Sequence, residues 1–243
     1  MERVLKTQEN RRWLTERERG SVDVRQLARL ATSPNFRKPF KQQTKTDTSN
    51  VAVQILVDMS GSMSRRMETA KQTAAVLAES LKDLNIEFEV TGFHTSWGAG
   101  NDRGIPRGIY NRTCENMEYF IFKEFGSTNL SGIERLRVGS QNVDPEAVQW
   151  AGDRLAMRQE KRKIMFVLSD GMPAANTSDS RILGDQLRRN IKQLSKFGIE
   201  TIGIGIQSDA VSRFYPDFII VNELKELPGK AMAKLSKIIT KIA

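Results

Sequence analysis

The 243-residue chain has one cysteine and one histidine, and each scarcity removes a class of chemistry. Cys114 alone makes neither an intrachain disulfide nor a thiolate zinc site, which fits a reducing compartment. His94 alone is the one histidine available as a general base, and it has no nucleophile elbow to serve: Asp58 stands where the first glycine of G-x-S-x-G would fall. It reads as a surface or packing residue beside a strand end. No lysine precedes the last serine of DMSGS, so the loop is not a phosphate loop, and Ser60 stands where an aspartyl phosphotransferase of the D-x-D type has its second acid. No apolar run nears the ~20 residues that span a bilayer. The opening MERVLKTQENRRW carries charges where a signal peptide has an apolar core. The expectation is a cytoplasmic chain with no membrane partner and no ATP hydrolysis of its own.

What is present is enough apolar material for a core, 39% of residues, and an uneven excess of positive charge. The net charge is +9, and residues 1–50 hold 12 Lys and Arg against 6 Asp and Glu, so +6 of it lies there. Residues 17–32, with DVRQLARLA at their centre, read as a helix, and KPFKQQTKTDTSN as a polar tether. This arm is poor in stackable aromatics and matches no nucleic-acid module. It reads as a solvated helix rather than a nucleic-acid footprint, with an acidic protein surface as the other electrostatic partner. The expected division is a basic N-terminal helical arm and tether at 1–49 and a larger domain at 50–243.

Beyond residue 50 short β-branched runs alternate with longer amphipathic stretches. VAVQILV (51–57), IEFEVTGF (86–93), YFIFKEF (119–125), KIMFVLS (163–169), IETIGIGI (199–206) and FIIV (218–221) read as strands. Met67, Ala70, Ala74, Leu77 and Leu81 repeat at helical spacing in residues 65–84, and further helices are expected at 145–157, 180–197 and 228–242. Asp144 followed by Pro145 reads as an N-cap with proline at the first helical position. The alternation predicts an α/β fold: a doubly wound, mostly parallel sheet flanked by helices, with ligands bound outside the carboxyl ends of the strands. The longest irregular stretch, 94–113, falls at that same edge if the second strand runs parallel to the first.

The stretch ILVDMSGSM (55–63) ends an apolar strand in an acid and then supplies two serines. A carboxylate at the end of a buried strand needs something to offset its desolvation. Asp58, Ser60 and Ser62 on one tight loop, with Asp170 of VLSDGMP ending another central strand, would bring two acids and two hydroxyls together. Hard oxygen donors of this kind suit Mg²⁺ or Mn²⁺. The plainer reading is that a serine caps the helix while Asp58 accepts loop amides.

D-M-S-G-S at 58–62, after an apolar strand and before a helix, resembles the metal-ion-dependent adhesion site of von Willebrand factor A (VWA) domains. ERGSVDVRQLARLA, the run VDPEAVQWAGDRLAMRQEKRKIMFVLSDGMPA and GIGIQSDAVSRFYPD resemble the C-terminal part of the CobT-type subunit of cobaltochelatase. That resemblance implies a non-ATPase, non-catalytic subunit docked on an AAA+ ATPase ring (CobS-like), the pair driving insertion of Co²⁺ into a corrin ring beside a large third chelatase subunit. It implies that Ser60 and Ser62 bind Mg²⁺ through their hydroxyls, with Asp58 and Asp170 acting directly or through water and a partner's acidic side chain completing the shell. Where such sites carry a threonine in the second loop, GSQNVDPEA offers Asn142 or Asp144. The same site would equally serve a stand-alone interaction module for a different (MoxR-like) AAA+ ATPase that remodels protein complexes, without a chelatase role.

Overall fold

The computed structural model describes residues 10–17, 19–26, 33, 38–46, 50–97, 115–176 and 178–222. The chain divides into two compact units, Met1–Ser49 and Asn50–Ala243.

In the first unit β1(Asn10–Arg17), β2(Ser21–Val22) and β3(Phe40–Thr46) form an antiparallel sheet in the order β1-β3-β2. This corrects the expected tether and the start of the expected helix. Arg17 closes a strand and Ser21–Val22 form another, residues 24–26 are helical, and residues 27–32 lie outside the described residues. The stretch read as a tether supplies the middle strand. Pairing on both sides gives its backbone groups protein partners that a solvated tether leaves to water. Gly20, at φ 132°, adopts a conformation that ordinary residues avoid, and so keeps a helix from running back through the link between β1 and β2.

The second unit is built on six strands: β4(Val51–Asp58), β5(Glu87–Trp97), β6(Glu115–Lys123), β7(Arg162–Ser169), β8(Ile199–Ile206) and β9(Asp217–Val221). Their order is β6-β5-β4-β7-β8-β9, parallel except for the antiparallel edge strand β6. Every residue of β4 is buried, which is why its sequence is a continuous apolar run rather than an alternating one. Helix α1(Met67–Asp83) packs on β4 and β5 through Ala70, Ala74, Leu77 and Leu81. Helices α2(Asp144–Ala156) and α3(Ser180–Lys196) lie together on the face that carries Ala52 and Leu56, where Ala147, Ala151, Leu187 and Ile191 join the same core cluster. Successive strand residues point to opposite faces, so Val53, Ile55 and Val57 are left for the α1 side. Helix α3 ends in Gly198 at φ 76°, the left-handed position that glycine takes without strain.

Several boundaries differ from the sequence reading. Strand β5 continues through His94 to Trp97, because β6 folds back and pairs with it residue for residue over that stretch; the rest of the expected loop, residues 98–113, lies outside the described residues. Val143 takes the N-cap position of α2, and Asp144 is its first residue, without a capping bond. The expected helix at 228–242 lies outside the described residues. Among the described residues no helix is long and apolar enough to cross a membrane.

In order of first appearance the sheet reads 3-2-1-4-5-6, so the chain leaves β4 toward one edge and β7 toward the other. The crevice between their carboxyl ends is where doubly wound sheets bind ligands. Asp58 closes β4, and Asp170 directly follows β7.

Candidate metal site

Asp58 is fully buried, and three neutral donors hold it. The Ser60 amide donates to Oδ1 at 2.8 Å, while the Ser169 hydroxyl and Asn142 Nδ2 donate to Oδ2 at 3.0 and 3.2 Å. Burial pushes its carboxyl up to about 6, the Ser60 amide and hydroxyl pull it back, Asp170's charge raises it and Ser169 lowers it. The loop amide expected by the plainer reading is present; Ser60 and Ser62, however, do not cap a helix. Ser60 stands before a short 3-10 turn, Gly61–Arg65, with no side-chain capping bond.

The two hydroxyls instead form a chain of oxygens. Ser60 Oγ lies 3.0 Å from Ser62 Oγ, which donates to Asp170 Oδ1 at 2.8 Å. The other oxygen of Asp170 accepts from Arg66 Nη1. Two backbone bonds pin this loop to the second one: Gly61 N to Ser140 O and Gly139 N to Met59 O, both 2.6 Å. A Cβ at Gly61 would stand 3.3 Å from Ser140 O, so the close seating of the loops favours glycine there.

The second loop brings both of its candidates to the site in different roles. Asn142 exchanges backbone bonds with Ala174 and spends Nδ2 on Asp58 and on Met172 O, so it orients the Asp58 carboxylate. Asp144 is 1% exposed and its Oδ2 has no hydrogen-bond partner. Burial first, then the charges of Asp58 and Asp170, push its carboxyl well above the usual range. Behind it the Tyr215 hydroxyl is also buried without a partner, raised by burial and by Asp144 and Asp58.

His94 packs between β6 and the second loop. Its ring is 5.0 Å from that of Phe120, Nδ1 is 3.0 Å from Thr95 O, and a Cβ at Gly139 would fall 2.1 Å from its Cγ. Beside it the buried Glu115 accepts from Thr95 Oγ1 and from Asn176 N, both at 2.8 Å, and Thr95 exchanges bonds with Gln141, which ties β5 to both loops at the rim. Sequence reasoning missed Ser169, Arg66 and Tyr215. Ser169 and Arg66 stand beside motif residues, in SDG and in DMSGSMSRR, and were findable on that ground; Tyr215 has no such signal.

Among the described residues no three His, Cys, Asp or Glu side chains gather into a metal cage. The donor set is mixed. Adjacent ligands of an octahedral Mg²⁺ at ~2.1 Å stand about 3.0 Å apart. The spacings of 3.0 Å between the serine hydroxyls and 2.8 Å from Ser62 to Asp170 match that edge. Hard neutral oxygens in front with acids beside and behind them fit Mg²⁺ or Mn²⁺.

The doubly wound sheet, with this loop at its switch point, defines the class of the second unit: it is a VWA domain. Residues 39–241 match the family described as the cobalamin biosynthesis protein CobT VWA domain, and the chain belongs to that family. It is 25% identical over 224 residues to the uncharacterized protein YojO of Bacillus subtilis (strain 168), an alignment covering 88% of this chain and 34% of that one. The chain thus spans about a third of the length of that curated relative. Among solved structures it is similar in fold to the PilB minor pilin of Streptococcus sanguinis (TM-score 0.54, 13% identity, 84% of this chain and 65% of that one). It is also similar to the vWF domain of the type V pili tip protein Mfa5 of Porphyromonas gingivalis (TM-score 0.52, 11% identity, 76% and 95%).

Proposed function

We propose that this chain is the non-hydrolytic, metal-dependent docking module of a CobT-type assembly, binding Mg²⁺ or Mn²⁺ at the switch point and engaging an acidic side chain of an AAA+ ATPase ring. The observation that carries the reading is the oxygen chain from Ser60 through Ser62 to Asp170, spaced like the edge of an octahedral ion and backed by buried Asp58 and Asp144.

Ser60, Ser62 and Asp170 would hold the ion from the loop side. Asn142 orients Asp58, and the uncommitted oxygen of Asp144 is the second-loop acceptor for the ion or its water. A bound divalent ion supplies a Lewis-acid position that prefers a carboxylate over water. Among the described residues the loop side offers two hydroxyls and Asp170, so the arrangement leaves a coordination position for a partner to complete. The excess of +6 in residues 1–50 would speed the approach of an acidic ring and make association sensitive to salt. Family membership supports cobaltochelatase as the assembly, with ATP hydrolysed by the ring and cobalt inserted into a corrin ring as the outcome.

The test is a pull-down of a CobS-like ATPase by the full chain in Mg²⁺ and in EDTA, with Asp58→Ala alongside. Binding in Mg²⁺ that is lost in EDTA and in the variant is expected. Complexes that survive both treatments overturn the docking role. Metal-dependent capture of a MoxR-like ring in place of the CobS-like one keeps the site and moves the chain outside cobalt insertion.

A further inference from the structure

Arg66 enters the site from the end of the same loop that carries the serines, and no motif assigned it a role. Its backbone is fixed: its amide donates to Met63 O at 2.8 Å and its carbonyl accepts the Ala70 amide at 2.8 Å at the start of α1. Its side chain is 34% exposed, while the Asp170 side chain it reaches is 1% exposed. The guanidinium therefore lies at the mouth, and the carboxylate beneath it. The grip is single: Nη1 takes Oδ2, and Oδ1 stays with Ser62.

Among the described residues a second half-exposed arginine that reaches a buried acid behaves differently. Arg154 closes on Glu89 with both Nε and Nη2, taking both carboxylate oxygens in the paired-fork geometry. Arg66 makes half of that contact, and a rotation of its exposed side chain would break it without opening a cavity in the core.

We propose that Arg66 is a tethered counter-cation of the metal site: it neutralises Asp170 when no ion is bound, opposes the entering divalent ion, and so sets its affinity. The inference rests on the metal-binding reading above. A +1 charge one carboxylate's width from a divalent ion, largely screened by water, is worth about tenfold in affinity. Metal entry turns Arg66 away from Asp170 and frees it at the mouth, beside the position where a partner's carboxylate would arrive. Arg66 is thus a positioning and affinity-setting residue rather than a ligand.

The experiment is calorimetric titration of the full chain with Mg²⁺ and with Mn²⁺, for wild type, Arg66→Gln and Arg66→Lys, with thermal melts of each protein in EDTA and in saturating Mg²⁺. Arg66→Gln is expected to bind both ions about tenfold more tightly than wild type, and Arg66→Lys, which keeps the charge, to stay within about threefold. Arg66→Gln should also melt lower than wild type in EDTA, with most of the deficit closed by Mg²⁺. A plain structural ion pair would lower both melts equally, and that result overturns the inference even if the variant folds poorly. If wild type binds metal and Arg66→Gln binds no more tightly, this inference fails and the metal site stands. If no variant binds either ion at millimolar concentration, the metal-binding reading fails and this one with it.

Discussion

Glu89 and Asp58 are buried acids on adjacent strands of one sheet, 1% and 0% exposed, and they are satisfied in opposite ways. Glu89 sits opposite Gln54, toward the amino end of β4, and receives two hydrogen bonds from the Arg154 guanidinium. Asp58 ends β4 and, among the described residues, receives neutral donors: an amide, a hydroxyl and a carboxamide. An acid that carries its own arginine is electrostatically complete, and its role ends with holding α2 to the sheet. One that carries neutral donors keeps either a proton or an unmet demand for a cation. Asp144 belongs with Asp58, since among the described residues its Oδ2 has no partner at all. Asp170 stands between the two kinds, held by a hydroxyl on one oxygen and by Arg66 on the other. The difference separates a structural acid pair from a site, although burial alone ranks them the same.

The sharpest way to break this comparison is to take the arginine away from Glu89. Arg154→Ala leaves a buried carboxylate without its cation and should cost about 3 kcal/mol or more in urea unfolding. The loss should be the same in Mg²⁺ and in EDTA; a deficit that Mg²⁺ repairs would mean the two acid regions are one coupled system. Ser60→Ala combined with Ser62→Ala should do the reverse. It should abolish the Mg²⁺ titration signal while changing metal-free stability by only about 1 kcal/mol, because neither hydroxyl caps the turn they occupy. Unchanged Mg²⁺ affinity in that double variant would remove the serines from the site.

A smaller effect follows from the proton on Asp58. Its folded value of about 6 lies above the ordinary 3.8, so the metal-free fold binds that proton more tightly than the unfolded chain does. The stability this contributes is full below pH ~4 and lost as pH rises toward about 6. Between those limits, in EDTA, wild type should lose stability relative to Asp58→Asn, which has no charge there to bury. Parallel pH curves for the two proteins would show that Asp58 is already ionised at no cost. Gly198→Ala serves as the baseline outside both regions. A Cβ there meets no atom within 4 Å, so only the left-handed φ of 76° is strained and the cost should be about 1 kcal/mol, independent of metal. A markedly larger loss would mean that the end of α3 bears on the core.

Much of the second unit could be read from its residues. The strands near 51–57, 163–169 and 199–206 were legible because fully buried parallel strands write themselves as unbroken apolar runs, and α1 was legible because Met67, Ala70, Ala74, Leu77 and Leu81 make one stripe. In the first unit the strands were missed. NRRWLTER is broken by charge and FKQQTKT has little apolar content, so neither announces a sheet whose formation depends on β3 finding partners on both sides. The reach of β5 to Trp97 was hidden for the same reason, since strand length there is set by the antiparallel partner β6.

Asp58, Ser60 and Ser62 were determined by the sequence alone, because a tight turn after a buried strand leaves three neighbouring residues no choice but to share one loop. Only the tertiary structure decided the rest. Asp170 follows Ser62 by 108 positions and meets it because β7 pairs directly with β4. Asn142, rather than Asp144, bonds to Asp58, because its backbone is stitched to Ala174 and its amide is thereby aimed inward. Arg66 reaches Asp170 across 104 positions for the same reason. Backbone propensity and apolar pattern act over a few residues, whereas the order of strands in a sheet is set by which long-range pairings bury the most apolar surface, and that order made a serine loop, two distant acids and an arginine into one site.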